Sequence, residues 1–126
     1  MIHFDTNALV ALPLWSRDSH PAIRRVLDGE PASACALGWF EFLNGPLIED
    51  EAKLAYAFLQ GRIVPVTEDD AELAARLFNA VGQRRTLKTD ALVAAIAIRA
   101  NAQFVTLNAA DFEPFATQGL RLLPAT

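Results

Sequence analysis

The sequence predicts an α/β fold in which helices cover a mostly parallel sheet of four or five strands. Short apolar runs alternate along the chain with longer segments of helical periodicity, and such alternation is typical of parallel strands joined by helical crossovers. The chain has 126 residues, which is enough for one hydrophobic core without a disulfide or a structural metal. Because the sequence contains no repeat, low-complexity tract or linker, we interpret residues 1–126 as a single domain.

Five short apolar runs are the predicted strands, at residues 2–4, 32–36, 63–66, 103–107 and 120–123. Pro65 interrupts the third run and cannot donate a backbone hydrogen bond, so this strand is expected near an edge of the sheet. The first run ends at Phe4, and Asp5 therefore follows the carboxyl end of its strand. In open α/β proteins, ligands bind at that rim of the sheet.

Cap and turn residues delimit the predicted helices. The first is predicted from Ala8, with Thr6 or Asn7 as its N-cap and a disturbance at Pro13. The next helix has Ser19 as candidate cap and Pro21 in its first turn, and it ends near Gly29. Further helices are predicted at residues 37–44 (stopped by Gly45 and Pro46), at residues 48–59, from residues 67–70 through Val81, and from Thr89 and Asp90 onward, while residues 108–118 form an irregular loop or a short helix.

The composition excludes several classes of protein. No stretch reaches about 18 apolar residues, so no membrane span is predicted, and the N-terminus lacks the pattern of a signal peptide. The single cysteine, Cys35, cannot form an internal disulfide and is expected to be a buried, unreactive thiol. No Cys/His spacing fits a zinc site. We therefore expect a cytoplasmic protein.

The surplus of apolar residues predicts a surface for self-association or for a partner. Such residues make up 52% of the chain, which is more than a small core is expected to use. Leu12, Leu14 and Trp15 are candidates for the interface of a homodimer. The alternative is that Trp15 is buried in the core of its own chain.

Basic residues are few but clustered. The net charge is −4, which argues against a protein that holds nucleic acid by charge alone. Arg24 and Arg25 form one cluster, and Arg84, Arg85 and Lys88 form another. They are either solvated helix faces or, if phosphates bind, the source of the positive charge.

Three carboxylates stand in or beside apolar segments. Asp5 follows the first strand, Glu41 lies within an aromatic-rich helix, and Asp90 opens a helix that is apolar on nearly every face. Asp5 could be a helix cap, Asp90 a first-turn acid and Glu41 an outward-facing side chain. Together, however, they are expected at one rim of the sheet, where Asn108 and Asp111 also arrive. Oxygen ligands in this number favour Mg²⁺ or Mn²⁺.

At these positions the chain resembles the PIN-domain nucleases, specifically the VapC-like toxins of type II toxin–antitoxin systems. The resemblance covers the whole chain and rests on four segments in order: Phe4-Asp5-Thr6-Asn7-Ala8-Leu9, Phe40-Glu41-Phe42-Leu43-Asn44-Gly45-Pro46, Thr89-Asp90-Ala91-Leu92-Val93-Ala94-Ala95, and Val105-Thr106-Leu107-Asn108 followed by Asp111-Phe112. It implies a PIN-like three-layer α/β/α sandwich and a metal-dependent endoribonuclease that cleaves RNA and is held inactive by a VapB-like antitoxin.

The resemblance also implies roles for individual residues. Asp5, Glu41 and Asp90 would be the catalytic and metal-binding acids, with Mg²⁺ as the cofactor and Mn²⁺ as a substitute. Thr6 and Asn7 would orient the metal ligands without binding the metal themselves. The family often has a fourth acid where this chain has Asn108, which could ligate through its carbonyl oxygen or hold a metal-bound water but contributes no charge. Asp111 is interpreted as the cap of residues 112–115 and as a residue that supports the metal ligands, with metal binding by Asp111 as the alternative.

Three other functions compete with this interpretation. A haloacid-dehalogenase-like phosphatase would need a second Asp two residues after the first, where this chain has Asn7. A phospho-acceptor receiver domain would need adjacent acids ahead of its acceptor strand, and these are missing. A catalytically silent PIN-fold interaction module is the remaining alternative, although intact Asp5, Glu41 and Asp90 argue against it.

Overall fold

Five parallel strands form one sheet in the computed structural model, which describes residues 1–45 and 49–124. The strand order is β3-β2-β1-β4-β5, and every neighbouring pair is parallel. The strands are β1 Ile2–Phe4, β2 Ala32–Cys35, β3 Ile63–Val64, β4 Gln103–Val105 and β5 Arg121–Leu122. The predicted α/β class and parallel sheet are confirmed, with β1 at the centre.

Helices cover both faces of this sheet. In the described residues they are α1 Thr6–Val10, α2 Leu12–Arg17, α3 Pro21–Leu27, α4 Ala36–Leu43, α5 Glu49–Leu59, α6 Glu68–Ala80, a 3-10 turn Arg85–Leu87, α7 Lys88–Arg99 and α8 Ala109–Ala116. One core cluster joins β1 and β2 to α1, α2, α3 and α5, and the other joins β4 to α6, α7 and α8. Alternate residues of β1 face opposite ways: Phe4 belongs to the first cluster, whereas His3 stacks on Phe104 of the second. This is the predicted three-layer α/β/α sandwich. None of the described helices is long and apolar enough to span a membrane.

Two predicted helix caps, Thr6 or Asn7 for the first helix and Ser19 for the next, were wrong, whereas the alternative that Asp5 is a helix cap is confirmed. α1 begins at Thr6, because the Asp5 carboxylate accepts a hydrogen bond from the Thr6 backbone N–H at 2.9 Å and makes Asp5 the N-cap. His20, not Ser19, caps α3, because its Nδ1 accepts a hydrogen bond from the Ala22 N–H at 3.0 Å. The cap must directly precede a proline at the first helical position, and Ser19 instead has a left-handed backbone with φ of 54°.

Several strands are shorter than predicted. β2 ends at Cys35 and β4 at Val105, since the chain turns there into α4 and into the loop before α8. β3 contains only two residues because Pro65 cannot continue the ladder, and its predicted edge position is confirmed. Residues 108–118, for which the sequence predicts an irregular loop or a short helix, contain α8. The predicted helix stop at Pro46 and helix start at residue 48 lie outside the described residues.

The residues proposed for self-association are mostly internal. Leu12 and Trp15 are buried in the first core cluster, and Trp15 stacks on His20 with 3.9 Å between ring centroids. Leu14 alone of the three is exposed. The alternative interpretation of Trp15 as a core residue is therefore correct.

An ion-pair network fixes the direction of α6 and α7. Arg99, at the end of α7, pairs with Asp70 at 3.1 Å and with Asp69 at 3.3 Å, at the start of α6. Asp70 and Thr67 also form a capping box at the start of α6. The two helices are therefore antiparallel. Because α7 leads down into the start of β4, its own first turn lies at the opposite rim, where β1 ends.

His3 generates a prediction for the pH dependence of stability. Its side chain is fully buried, its Nδ1 lies 2.9 Å from Ser33 Oγ, and its Nε2 has no hydrogen-bond partner among the described residues. Burial lowers the pKa of His3 to about 4. The unfolded chain therefore takes up a proton as the pH falls below 6.5 while the folded chain does not, so folding stability is lost between pH 6.5 and 4.

We expect His3 to remove about 2 kcal/mol from the free energy of unfolding between pH 7 and pH 5. Urea denaturation of the wild type and of His3→Gln at both pH values measures this effect. Subtracting the stability that the variant loses from the stability that the wild type loses cancels the contribution of the other titrating groups. The wild type should lose more stability than the variant by about that amount. Equal losses in the two proteins would show that His3 is protonated in the folded state.

Candidate active site

Asp5 is held at the carboxyl end of the central strand by contacts on both sides. Its backbone N–H donates to the Val105 carbonyl oxygen at 3.1 Å, which ties it to β4. Its side chain accepts hydrogen bonds from Thr6 N–H at 2.9 Å and from Thr106 Oγ1 at 2.8 Å. Burial raises the pKa of Asp5 and these two hydrogen bonds oppose the rise. Asp5 is thus both a helix cap and a fixed carboxylate at the rim.

Thr106 is a site residue that the sequence interpretation missed. Its hydroxyl donates to Asp5 Oδ2 and accepts a hydrogen bond from the Asn108 N–H at 3.0 Å. Asn7 Nδ2 lies 3.3 Å from the same hydroxyl, and Asn7 Oδ1 accepts from Leu107 N–H at 2.9 Å. Thr106 is buried and follows β4 directly. Its position after a strand at the same rim is the signal that could have identified it.

A second set of contacts attaches α4, which carries Glu41, to the start of α1. Thr6 Oγ1 donates to the Gly38 carbonyl oxygen at 3.1 Å. Cys35 caps α4 by accepting a hydrogen bond from the Gly38 N–H through Sγ at 3.3 Å. The Cys35 thiol is buried and its pKa is raised by that burial, as expected for an unreactive thiol. The Thr6 hydroxyl therefore holds the helix that carries Glu41, while the Thr6 backbone N–H donates to the Asp5 carboxylate.

Asp90 is the carboxylate on which the other negative charges at this rim of the sheet act. It lies in the first turn of α7 and is half-buried. Burial, and after it the negative charges of Asp5, Asp111 and Glu41 in that order, together raise the pKa of Asp90 to about 6. Among residues 1–45 and 49–124, none of these four carboxylates forms an ion pair. We call these four side chains the acidic rim.

The loop after β4 contributes differently from what was predicted. Asn108 is the N-cap residue of α8 but makes no side-chain cap hydrogen bond, and Asp111 lies inside the first turn of that helix. The interpretation of Asp111 as the cap of residues 112–115 was therefore wrong, because α8 begins earlier, at Ala109. Its charge acts on Asp90 instead.

The donor set of the acidic rim fits a hard cation in chemistry and charge. All of its donors are carboxylate oxygens, which Mg²⁺ and Mn²⁺ prefer, and their mutual repulsion is what a divalent cation would relieve. Nevertheless, within the described residues no group of three or more His, Cys, Asp or Glu side chains is arranged to hold a metal ion. The carboxylates of the rim interact electrostatically with one another, but they do not converge on one point.

The repulsion predicts that removing one charge stabilises the metal-free protein. Asp90→Asn should raise the free energy of unfolding at pH 7 by about 1 to 2 kcal/mol, because the ionised Asp90 is disfavoured in the folded chain. Urea denaturation in EDTA measures the change. Glu72→Gln, which removes an exposed carboxylate from α6, is the matched control and should have little effect. A destabilised Asp90→Asn protein would show that Asp90 is paired rather than repelled.

Comparison with solved structures shows the same fold in several proteins. A "Toxin-antitoxin complex from Klebsiella pneumoniae" matches with 22% identity and a TM-score of 0.66, over 90% of this chain and 91% of that one. The "Structure of FitAB bound to IR36 DNA fragment" matches with 20% identity and a TM-score of 0.68, over 98% and 94%. VapBC-1 from nontypeable Haemophilus influenzae matches with 18% identity and a TM-score of 0.63, over 98% and 97%.

Comparison with curated proteins gives no significant match. Comparison with protein families matches residues 2–116 to the PIN domain. That range includes every residue of the acidic rim and nearly the whole chain. PIN domains are generally nucleases and typically use divalent metals, which agrees with the oxygen-rich rim. The chain belongs to the PIN domain family.

Proposed function

We propose that this protein is a metal-dependent endoribonuclease toxin that hydrolyses phosphodiester bonds in cytoplasmic RNA and is held inactive by a VapB-like antitoxin. The observation that carries the proposal is that a PIN domain holds Asp5, Glu41, Asp90 and Asp111 at one rim of its sheet with no ion-pair partner among the described residues, so that the other three charges act on Asp90. The fold keeps four carboxylates at one rim although they repel one another. A bound cation would offset this repulsion, which gives the arrangement a functional reason.

Asp5, Glu41 and Asp90 are the side chains that would hold Mg²⁺ or Mn²⁺, with Asp111 adding charge and Asn108 a carbonyl oxygen. When bound, the cation would activate water and stabilise the oxygen that leaves the phosphodiester. Thr106 holds Asp5 in place through its hydroxyl. In metal sites, such supporting hydrogen bonds orient the ligands and affect metal affinity strongly.

The competing functions fit the structure less well. A haloacid-dehalogenase-like phosphatase needs an acid two residues after Asp5, but Asn7 stands there and its amide is hydrogen-bonded to the loop after β4. A silent interaction module has no need for the acidic rim, because repulsion among the carboxylates would destabilise it with no functional return. A homodimer stays a prediction of the apolar composition.

Removing one acid should abolish cleavage. Asp5→Asn and Asp90→Asn are each expected to lower Mg²⁺- or Mn²⁺-dependent RNA cleavage by more than about 100-fold, and Thr106→Val by about 10- to 100-fold, because it removes a hydroxyl that supports a ligand. Cleavage of purified total RNA and Mn²⁺ binding by calorimetry measure the two effects.

The control for this series is Glu72→Gln, which lies outside the acidic rim and should cleave like the wild type. Circular dichroism checks that each variant is folded. Full cleavage by a well-folded Asp90→Asn protein would contradict the site assignment. A wild type that binds no Mn²⁺ and cleaves no RNA would favour the silent module.

An apolar groove supports the antitoxin partner. It has a volume of about 330 Å³ and lies between α1, α2, α4 and α5. Its lining is mainly apolar and includes Val10 and Leu54, which are 64% and 69% exposed. Amphipathic helices of partner proteins bind in such grooves. Because α1 and α4 also position Asp5 and Glu41, a partner seated in the groove could place an Arg or Lys in the acidic rim.

We expect expression of the chain alone to arrest growth, and Asp5→Asn to relieve the arrest, because the arrest requires cleavage. A small protein from the source cells should co-purify with the wild-type chain and with Asp5→Asn. Val10→Asp combined with Leu54→Lys should lose that partner, because charges in the groove oppose an apolar helix. Free accumulation of an unaccompanied, inactive wild type would overturn the toxin assignment.

A further inference from the structure

We propose that the segment of residues 84–88 binds the phosphate backbone of RNA beside the acidic rim. We call it the basic segment; its cations are Arg84, Arg85 and Lys88. The proposal rests on the proposed ribonuclease function and adds the surface that holds the substrate next to the site of cleavage.

The basic segment is at the correct rim of the sheet. It connects α6 to α7, and the ion pairs of Arg99 place the start of α6 beside the end of α7, near the start of β4. The opposite end of this helix pair therefore lies where the strands finish. Lys88 begins α7, and Asp90 stands in the first turn of the same helix.

The cations of the basic segment are available to a ligand. Arg84, Arg85 and Lys88 are exposed, and in the described part of the chain their side chains make no hydrogen bond or ion pair. Other cations are engaged near the starts of strands: Arg25 bonds to Glu30 and Gln103, and Arg121 bonds to Asn101. Lys88 is thus an unpaired cation two residues before Asp90, and Arg84 and Arg85 precede it in the same exposed segment.

The backbone of the segment is anchored, so its cations are presented from a defined surface. Leu87 is buried in the second core cluster and lies at the end of the 3-10 turn. Gly82 and Gln83, both with positive φ, form the turn that precedes the segment. Among the described residues no side chain caps the start of α7, so the positive end of its dipole adds to the charge there.

The charge balance of the chain favours a basic surface near the acidic rim. RNA approaching a protein of net charge −4 and an acidic rim is repelled. Screening limits the effective range of a charge to about 8 Å at physiological ionic strength, so distant cations cannot offset this repulsion. An RNA strand with one phosphate at the rim must place its neighbouring phosphates on the adjoining surface. An acidic protein partner has no such reason to contact this position.

The test compares two variants that each lose three cations. Arg84→Gln, Arg85→Gln and Lys88→Gln are combined in one protein; Arg17→Gln, Arg24→Gln and Arg62→Gln are combined in the control, which removes exposed arginines from elsewhere on the surface. All proteins carry Asp5→Asn so that RNA stays intact in Mg²⁺. The anisotropy of a short fluorescein-labelled single-stranded RNA of mixed sequence gives Kd over a range of salt concentrations.

The segment variant should raise Kd at least about tenfold at low salt. It should also reduce the slope of log K against log salt by about 2, because each lost phosphate contact lowers that slope by about 0.7. The control should stay within about twofold of its parent. Equal effects in both variants, or an unchanged Kd in the segment variant, would overturn the proposal. So would loss of a co-purifying protein partner with RNA affinity retained, which would assign the segment to that partner.

The proposed nuclease function is judged separately, by cleavage of total RNA with the wild-type chain. Metal-dependent cleavage together with unchanged RNA binding by the segment variant would overturn only the basic segment. Weakened binding by that variant without any cleavage by the wild type would overturn only the nuclease.

Discussion

The central position of β1 is the constraint on which the site depends. Strands β2 and β4 flank it in parallel, so residues that follow three different strands meet at one rim. Asp5 is fixed there by the Val105 carbonyl oxygen on one side and by the cap of α1 on the other. A shift of β1 in register would move Asp5 away from Thr106 and reverse the faces of Phe4, which is buried in the first core cluster, and of His3, which is buried against Phe104 of the second.

The acidic rim is stable because hydrophobic burial elsewhere offsets its repulsion. The two core clusters surround the sheet on both faces, and the helices that carry Glu41 and Asp90 each place a buried residue in one of them: Phe42 in the first and Ala91 in the second. Carboxylates are therefore brought together by the packing of their neighbours and not by attraction between themselves. Rims of this kind are typical of sites that function with a cation.

Much of the fold could be predicted from the sequence, because strand and helix periods and Gly or Pro breaks are local signals. Asp5, Glu41 and Asp90 could also be selected, since each follows, lies within or opens an apolar segment. Thr106 was missed because only its position after a strand is visible in the sequence, whereas its hydrogen bond to Asp5 joins residues that are distant in sequence. The prediction of helix caps failed for a similar reason, because whether Asp5 or Thr6 caps α1 depends on side-chain geometry that composition does not reveal. Trp15 was ambiguous because an aromatic side chain suits a core and an interface equally.

The two edge strands have a consequence for how copies of this protein meet. β3 and β5 contain two residues each, and Pro65 follows the first of them directly. An exposed edge of a sheet is a template on which another chain can add a strand, and very short edges with a nearby proline remove most of that template. A protein built this way resists sheet-to-sheet polymerisation even at high local concentration. Its contacts with other macromolecules are left to the side chains of its helices and loops, where a single substitution can alter one contact without unfolding the sheet.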